Sequence, residues 1–138
     1  FKIMKYNIID IEGVGDAYAE KLKAAGIKTV DGLLEAGATA KGRKNLAETT
    51  GISEKLILRW VNHADLFRIN GVGPQFAELL EAAGVDTVKE MRHRNAENLA
   101  AKMAEVNEQK HLTRRSPTAA ELQKMIDEAA TLEPMVTY

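Results

Sequence analysis

An all-α fold follows from three features of the sequence. The 138 residues are rich in Ala, Leu, Glu and Lys, with 45% apolar residues but only 5% aromatic ones, which suits helices and leaves few β-branched runs for strands. Apolar residues recur at helical spacing, most clearly Leu56, Ile57, Trp60, Val61 and Ala64, the i, i+3, i+4 pattern of a packed helix face. Finally, one stretch occurs twice: residues 11–33 and 69–91, aligned at an offset of 58, share 12 of 23 positions, among them Gly13/Gly71, Gly15/Gly73, Ala19/Ala77, Leu22/Leu80 and Gly26/Gly84. The duplication predicts two similar units, 1–66 and 67–138.

Each copy begins with a Gly-Val-Gly turn. The first glycine permits positive φ, and the second falls at a helix N-cap. Pro74 then takes the first helical position of the second copy, where its missing N–H costs nothing, and Asp16 takes that position in the first, where an acid favours the dipole. Gly26 and Gly84 stand where a left-handed residue closes the helix, with Ile27 or Val85 folding back on Leu22 or Leu80 in a Schellman cap. Thr29 and Thr87 cap the next helix, and Thr87 with Glu90 has the spacing of a capping box.

In order, residues 1–11, with Ile3, Tyr6, Ile8, Ile9 and Ile11, are expected to form a brief helical turn leading into Gly13. Helices are expected at 16–25, 30–36, 40–50 and 54–66, with Gly37 and Gly51 as punctuation and Ser53 capping the last of them. That helix enters the second hairpin without a linker, so the two units are expected to share a core through it. The second unit repeats the plan at 74–83, 88–93, 96–106 and 119–130, with Asn95 as a cap and Thr118 with Glu121 as a capping box. There the matching offset becomes 65, pairing Trp60 with Met125, so seven residues are inserted within 107–117. This basic insertion carries Lys110, His111, Arg114 and Arg115, and Gln109 to Ser116 contains no acid.

Several function classes are disfavoured. A formal charge of −1 gives no global pull towards nucleic acid or an anionic membrane, so any such binding must be local. Cysteine is absent, which removes disulfide, thiolate and Cys–zinc chemistry. His63, His93 and His111 lack metal-ligand spacing. No Ser, Lys or carboxylate stands in a nucleophile or acid/base motif, so neither catalytic residues, a metal nor a cofactor is expected. With no apolar run approaching a membrane span and no signal peptide, no membrane partner is expected, and the cytoplasm is the expected location.

The pattern Ile-x-Gly-Val-Gly followed by x-x-x-Ala-x-x-Leu and Ala-Gly resembles the helix-hairpin-helix motif in both copies. Thr50-Gly51-Ile52-Ser53 before a helix resembles the second half of the double hairpin in the N-terminal domain of archaeal recombinases and related repair proteins. The whole chain resembles an uncharacterised bacterial family built from two such units. The resemblance covers about residues 8 to 132 and implies two pseudo-symmetric helix-hairpin-helix (SAM-like) units packed together.

It also implies sequence-independent DNA binding, in which hairpin backbone and helix start hold a phosphate. Carried over, the contacts fall on Gly71, Val72 and Gly73, joined by Arg68, Lys110, Arg114 and Arg115, and on Gly13, Val14 and Gly15. Family hairpins can hold a monovalent cation on loop carbonyls as well. Binding members commonly place Lys or Arg just after the second glycine, whereas this chain has Asp16-Ala17 and Pro74-Gln75. Glu12 and Asp16 would repel a phosphate within a Debye length of about 8 Å, which leaves the second hairpin the better site. Both hairpins can also be read as tight interhelical turns without a ligand. Lys41-Gly42-Arg43-Lys44 and 89–94 read as solvated helix faces. A protein-interaction scaffold that has lost nucleic-acid binding is therefore the second functional reading, with oligomeric state open.

Overall fold

The computed structural model describes residues 6–138, and among them the chain is all-helical, with no strand. A 3-10 turn at Ile8–Asp10 precedes α1 (Asp16–Ala24), α2 (Val30–Gly37), α3 (Ala40–Thr50), α4 (Glu54–Leu66), α5 (Pro74–Ala82), α6 (Val88–Met91), α7 (Ala96–Lys110) and α8 (Ala119–Thr131). The expected N-terminal turn is thus found at Ile8–Asp10, and the part of that expectation resting on Ile3 lies outside the described residues. The chain divides into two compact units, one running to Asp65 and taking in Met135–Tyr138, the other Leu66–Pro134.

The local rules that build α1 and α5 are the same. Gly13 and Gly71 have φ of 93° and 90°, and in each turn the valine N–H closes on the isoleucine carbonyl, Val14 to Ile11 at 3.0 Å and Val72 to Ile69 at 3.2 Å. Gly15 and Gly73 are the N-caps, in extended conformation and without a side-chain cap. At the other end, Gly26 N–H reaches Lys23 O and Ile27 N–H reaches Leu22 O, both at 2.9 Å; Gly84 to Glu81 and Val85 to Leu80 repeat those bonds at 2.9 Å. These are complete Schellman caps.

The remaining helices start on side-chain caps. Thr29, Thr39, Ser53, Thr87, Asn95 and Thr118 each accept a backbone N–H three residues on, from Gly32, Gly42, Leu56, Glu90, Asn98 and Glu121 respectively, a cap worth about 1 kcal/mol each. Thr118 and Glu121 complete a capping box. At α6 the expected box is only half present: Thr87 Oγ1 accepts the Glu90 N–H, while the Glu90 carboxylate stands 3.5 Å from Arg94.

Leu22, Leu33, Leu34, Ile57 and Trp60 are fully buried in the first unit, as Leu79, Leu80, Val85, Met91 and Leu122 are in the second. Trp60 is a core residue, as its place on the α4 stripe predicts, and its indole packs edge-on against Tyr18 with centroids 5.1 Å apart. Trp60 and Met125, aligned in sequence, do the same job: a Cβ on Gly13 would lie 3.5 Å from Trp60 Nε1, and one on Gly71 would lie 3.2 Å from Met125 Cε. Each unit therefore backs its hairpin with one large side chain from its last helix.

Three expectations need correction, and one gains a further reason. Gly37 does end α2, as its last residue, and it is also buried, where a Cβ would come within 2.5 Å of Val61 Cγ2. Arg43 is not on a solvated face; it is 5% exposed and donates to Gly37 O, Ala38 O and Thr137 O. Through that bond, Thr137 N–H to Ala38 O at 2.8 Å and burial of Val136, the last four residues join the first unit rather than the second. Arg92 and Arg94 likewise bond carbonyls, at Leu132 and Gly84, so 89–94 is not simply solvated.

The close approach at Gly37 is testable. Gly37→Ala is expected to destabilise the protein by roughly 1–3 kcal/mol through overpacking. Adding Val61→Ala makes room, so the double variant should lose clearly less than the sum of the two single losses in urea unfolding. A neutral Gly37→Ala would show that α2 and α4 do not approach this closely.

Candidate functional site

The insertion is more ordered than its composition suggests. Four of its residues extend α7 to Lys110, beyond the expected end at 106, because nothing there stops a helix. His111 ends it in the left-handed region with φ of 51°, its N–H bonded to Asn107 O at 2.8 Å. A side chain rarely takes that conformation unless its surroundings hold it. Here Asn107, itself buried, holds the following loop from both sides, since its Nδ2 donates to Thr113 O at 3.1 Å and its Oδ1 accepts Thr113 N–H at 3.0 Å. Thr113 Oγ1 then donates to Arg115 O at 2.8 Å.

This clamp turns the two arginines towards the hairpin. Gly71, Phe76 and Met125 line one cleft of about 340 Å³ together with Thr113, Arg114, Arg115, Pro117 and Glu121. Arg114 is exposed. Arg115 is committed elsewhere: its Nη1 and Nη2 meet the two carboxylate oxygens of Glu121, each at 2.7 Å. Glu121 Oε1 also accepts the Thr118 N–H at 3.1 Å. The Arg115 guanidinium first, and the Thr118 N–H second, pull the Glu121 carboxyl down from its usual 4.5 to about 2; the Arg115 pKa is raised in turn. The fork-to-fork pair thus joins the insertion to the start of α8.

Of the residues singled out in the second unit, the cleft brings together Gly71, Arg114 and Arg115. Lys110 is exposed on the last turn of α7 but does not line it. Val72 is 3% exposed with its N–H spent in the turn, so it anchors the hairpin rather than offering a donor. Arg68 is 5% exposed, which withdraws it from any phosphate on the surface. Gly73 caps α5; Pro74 has no N–H, and the Gln75 and Phe76 N–H groups precede the first intrahelical bond, Ala77 to Gly73 at 2.8 Å. Asn70 N–H donates to Glu128 Oε1 at 3.0 Å, so one hairpin donor already holds a carboxylate.

In the first unit, Gly13 and Gly15 are exposed and Val14 is buried with its N–H spent in the turn. A Cβ on Gly15 would meet nothing within 4 Å. Glu12 is half-buried beside this turn, and Asp16, at the first helical position, is exposed.

Sequence reasoning missed Glu121 as the partner of Arg115 and Asn107 as the clamp. The first had a signal, because Thr118-x-x-Glu121 fixes that carboxylate at the helix start six residues from Arg115. The second had none, since a buried asparagine at the end of a helix is not distinguished by type or spacing.

With that geometry in place, comparison with known proteins gives one decisive finding: a family model described as Domain of unknown function (DUF4332) matches residues 12–132. The chain belongs to this family. The match spans both hairpins and the whole insertion, so the cleft between Gly71 and Arg114 lies within the DUF4332 domain. No curated protein and no solved structure matches the chain. Among the described residues of this DUF4332 chain, no His, Asp or Glu group could hold a metal ion, and no helix is long and apolar enough to cross a membrane.

The pair at the insertion has a definite pH signature. A carboxyl depressed from 4.5 to about 2 contributes stability that is full above 4.5 and is lost as the pH falls through about 2. An NMR titration should therefore place the Glu121 carboxyl midpoint near 2, and Arg115→Ala should raise it while leaving it below 4.5, because the Thr118 N–H remains. A wild-type midpoint near 4.5 would mean that the pair does not form in solution.

Proposed function

We propose that this chain is a non-enzymatic, sequence-independent DNA-binding protein that holds the phosphate backbone at its second hairpin. The observation that carries this reading is the cleft in which Gly71 stands with Arg114 and Arg115. Asn107 and Glu121 account for the fold of the loop, and the exposed Arg114 guanidinium that this leaves beside the turn suits a phosphodiester. The helix-hairpin-helix identity belongs to the same proposal. It is supported by the recurrence, in both turns, of positive φ at the first glycine, an uncapped second glycine, and Schellman closure.

In this reading the donors are the N–H groups of Gly73, Gln75 and Phe76, with Arg114 as the exposed cation. Arg115 positions the loop through Glu121, and Lys110 adds to the local field. The first hairpin, with Glu12 and Asp16 beside it, is a turn and not a site.

A scaffold for a protein partner is the second reading. It is favoured by the pairing of Arg115 with Glu121, the burial of Arg68 and the Glu128 carboxylate on Asn70, which together leave few free cations at the hairpin.

Titration against random duplex and single-stranded DNA separates the two. Affinity should be greatest at about 50 mM salt and fall steeply towards physiological salt. Arg114→Ala should weaken binding about equally for all sequences and reduce the salt slope by roughly one unit. Gly73 has a φ of −105°, open to any residue, so Gly73→Val should keep the helix and block the donors. Gly15→Val, into open space, should leave affinity almost unchanged. Absence of DNA binding in the wild type at low salt would leave the scaffold reading in its place.

A further inference from the structure

A second cleft of the same unit shares no lining residue with the one at Gly71. It encloses about 510 Å³, within the roughly 300–1,000 Å³ common for small-ligand sites. One wall is a stripe of α7, Asn95, Asn98, Leu99 and Lys102, spaced i, i+3, i+4, i+7 and so on one helix face. The other is the connection from α6, carrying His93 and Arg94. Buried Leu99 forms the apolar floor.

The polar groups are mostly donors. Arg94 is held in place, its Nη2 donating to Gly84 O at 2.7 Å and standing 3.5 Å from Glu90 Oε2, which offsets part of its charge. Lys102 is exposed, one turn beyond Asn98. Asn95 Oδ1 accepts the Asn98 N–H at 3.0 Å, so the Asn95 amide presents its Nδ2 hydrogens away from the helix end. The cleft also lies at the start of a 15-residue helix, where the dipole favours negative charge. No carboxylate is among its lining residues. Two permanent cations, an imidazole and carboxamide donors around one hollow match a compact anion with several acceptor oxygens.

We propose that this cleft binds a phosphate group, free or carried on a small molecule, independently of the hairpin. Inorganic phosphate and a nucleoside monophosphate are the probes, each titrated into the full chain and followed by amide NMR shifts, with chloride at matched ionic strength as the control. Saturable shifts at residues 95–102 under phosphate but not chloride are expected. Lys102→Glu, an exposed change that should leave helical content unaltered, is expected to weaken phosphate roughly tenfold, as loss of one charged hydrogen bond would. Tighter binding of the nucleotide than of phosphate would identify an organic phosphate as the ligand, and equal binding the free anion. Linear, unsaturated shifts shared with chloride, or an unchanged affinity in Lys102→Glu, would overturn the proposal. Loss of DNA binding in Gly73→Val with phosphate shifts intact would separate this site from the hairpin.

Discussion

The structure depends on ending short helices and starting new ones close by, with five residues between α1 and α2 and again between α5 and α6. Helices of nine residues, like α1 and α5, are marginal by themselves in water, and each end leaves four backbone groups unpaired. A left-handed glycine closes α1 and α5 because it lets its own N–H and that of the next residue turn back onto the helix carbonyls, and that next residue returns its side chain to the core. The chain then needs only Lys28-Thr29 or Asp86-Thr87 before the next helix begins. This economy of turns lets a unit of fewer than 70 residues bury enough Leu, Ile and Val to hold its helices in place.

The same device exposes backbone. At Gly15 and Gly73 the helix starts without a capping side chain, while α2, α3, α4, α6, α7 and α8 start on Thr, Ser or Asn. A sequence able to place such a residue at six caps could have done so at the hairpins as well. Packing does not demand glycine at Gly15, where a Cβ would meet nothing. Open donors at these two ends are thus a property of the hairpin itself, distinct from the steric need for glycine at the first position, where φ near 90° demands it.

Much of the fold was legible because its signals are local. Caps, Schellman glycines and the α4 stripe depend on residues within one turn of each other, and helix boundaries followed from them. What was not legible depends on partners distant in sequence. Arg43 resembles any basic residue of an exposed helix until Thr137, far along the chain, supplies a carbonyl. Gly37 reads only as a stop, and its need for a bare backbone shows when Val61 is brought against it. Of the residues that the sequence singles out, Gly71, Arg114 and Arg115 come to line one cleft, while Arg68 is buried and Arg115 is paired with Glu121, since charge in a sequence says nothing of whether burial or a carboxylate will meet it.

The charges of the insertion show why counting them misleads. Arg115 is locked to Glu121 with both oxygens engaged, and a guanidinium so satisfied gains little by turning to a second anion. Its contribution lies in geometry: it ties residue 115 to the start of α8, while Asn107 ties residue 113 to the end of α7. Residue 114 sits between these two anchors, so its backbone position is set while its side chain remains exposed. One cation on a fixed backbone is a weaker electrostatic feature than the three, Lys110, Arg114 and Arg115, that the insertion carries. It is also a better positioned one, because less loop freedom would have to be lost on contact with an anion.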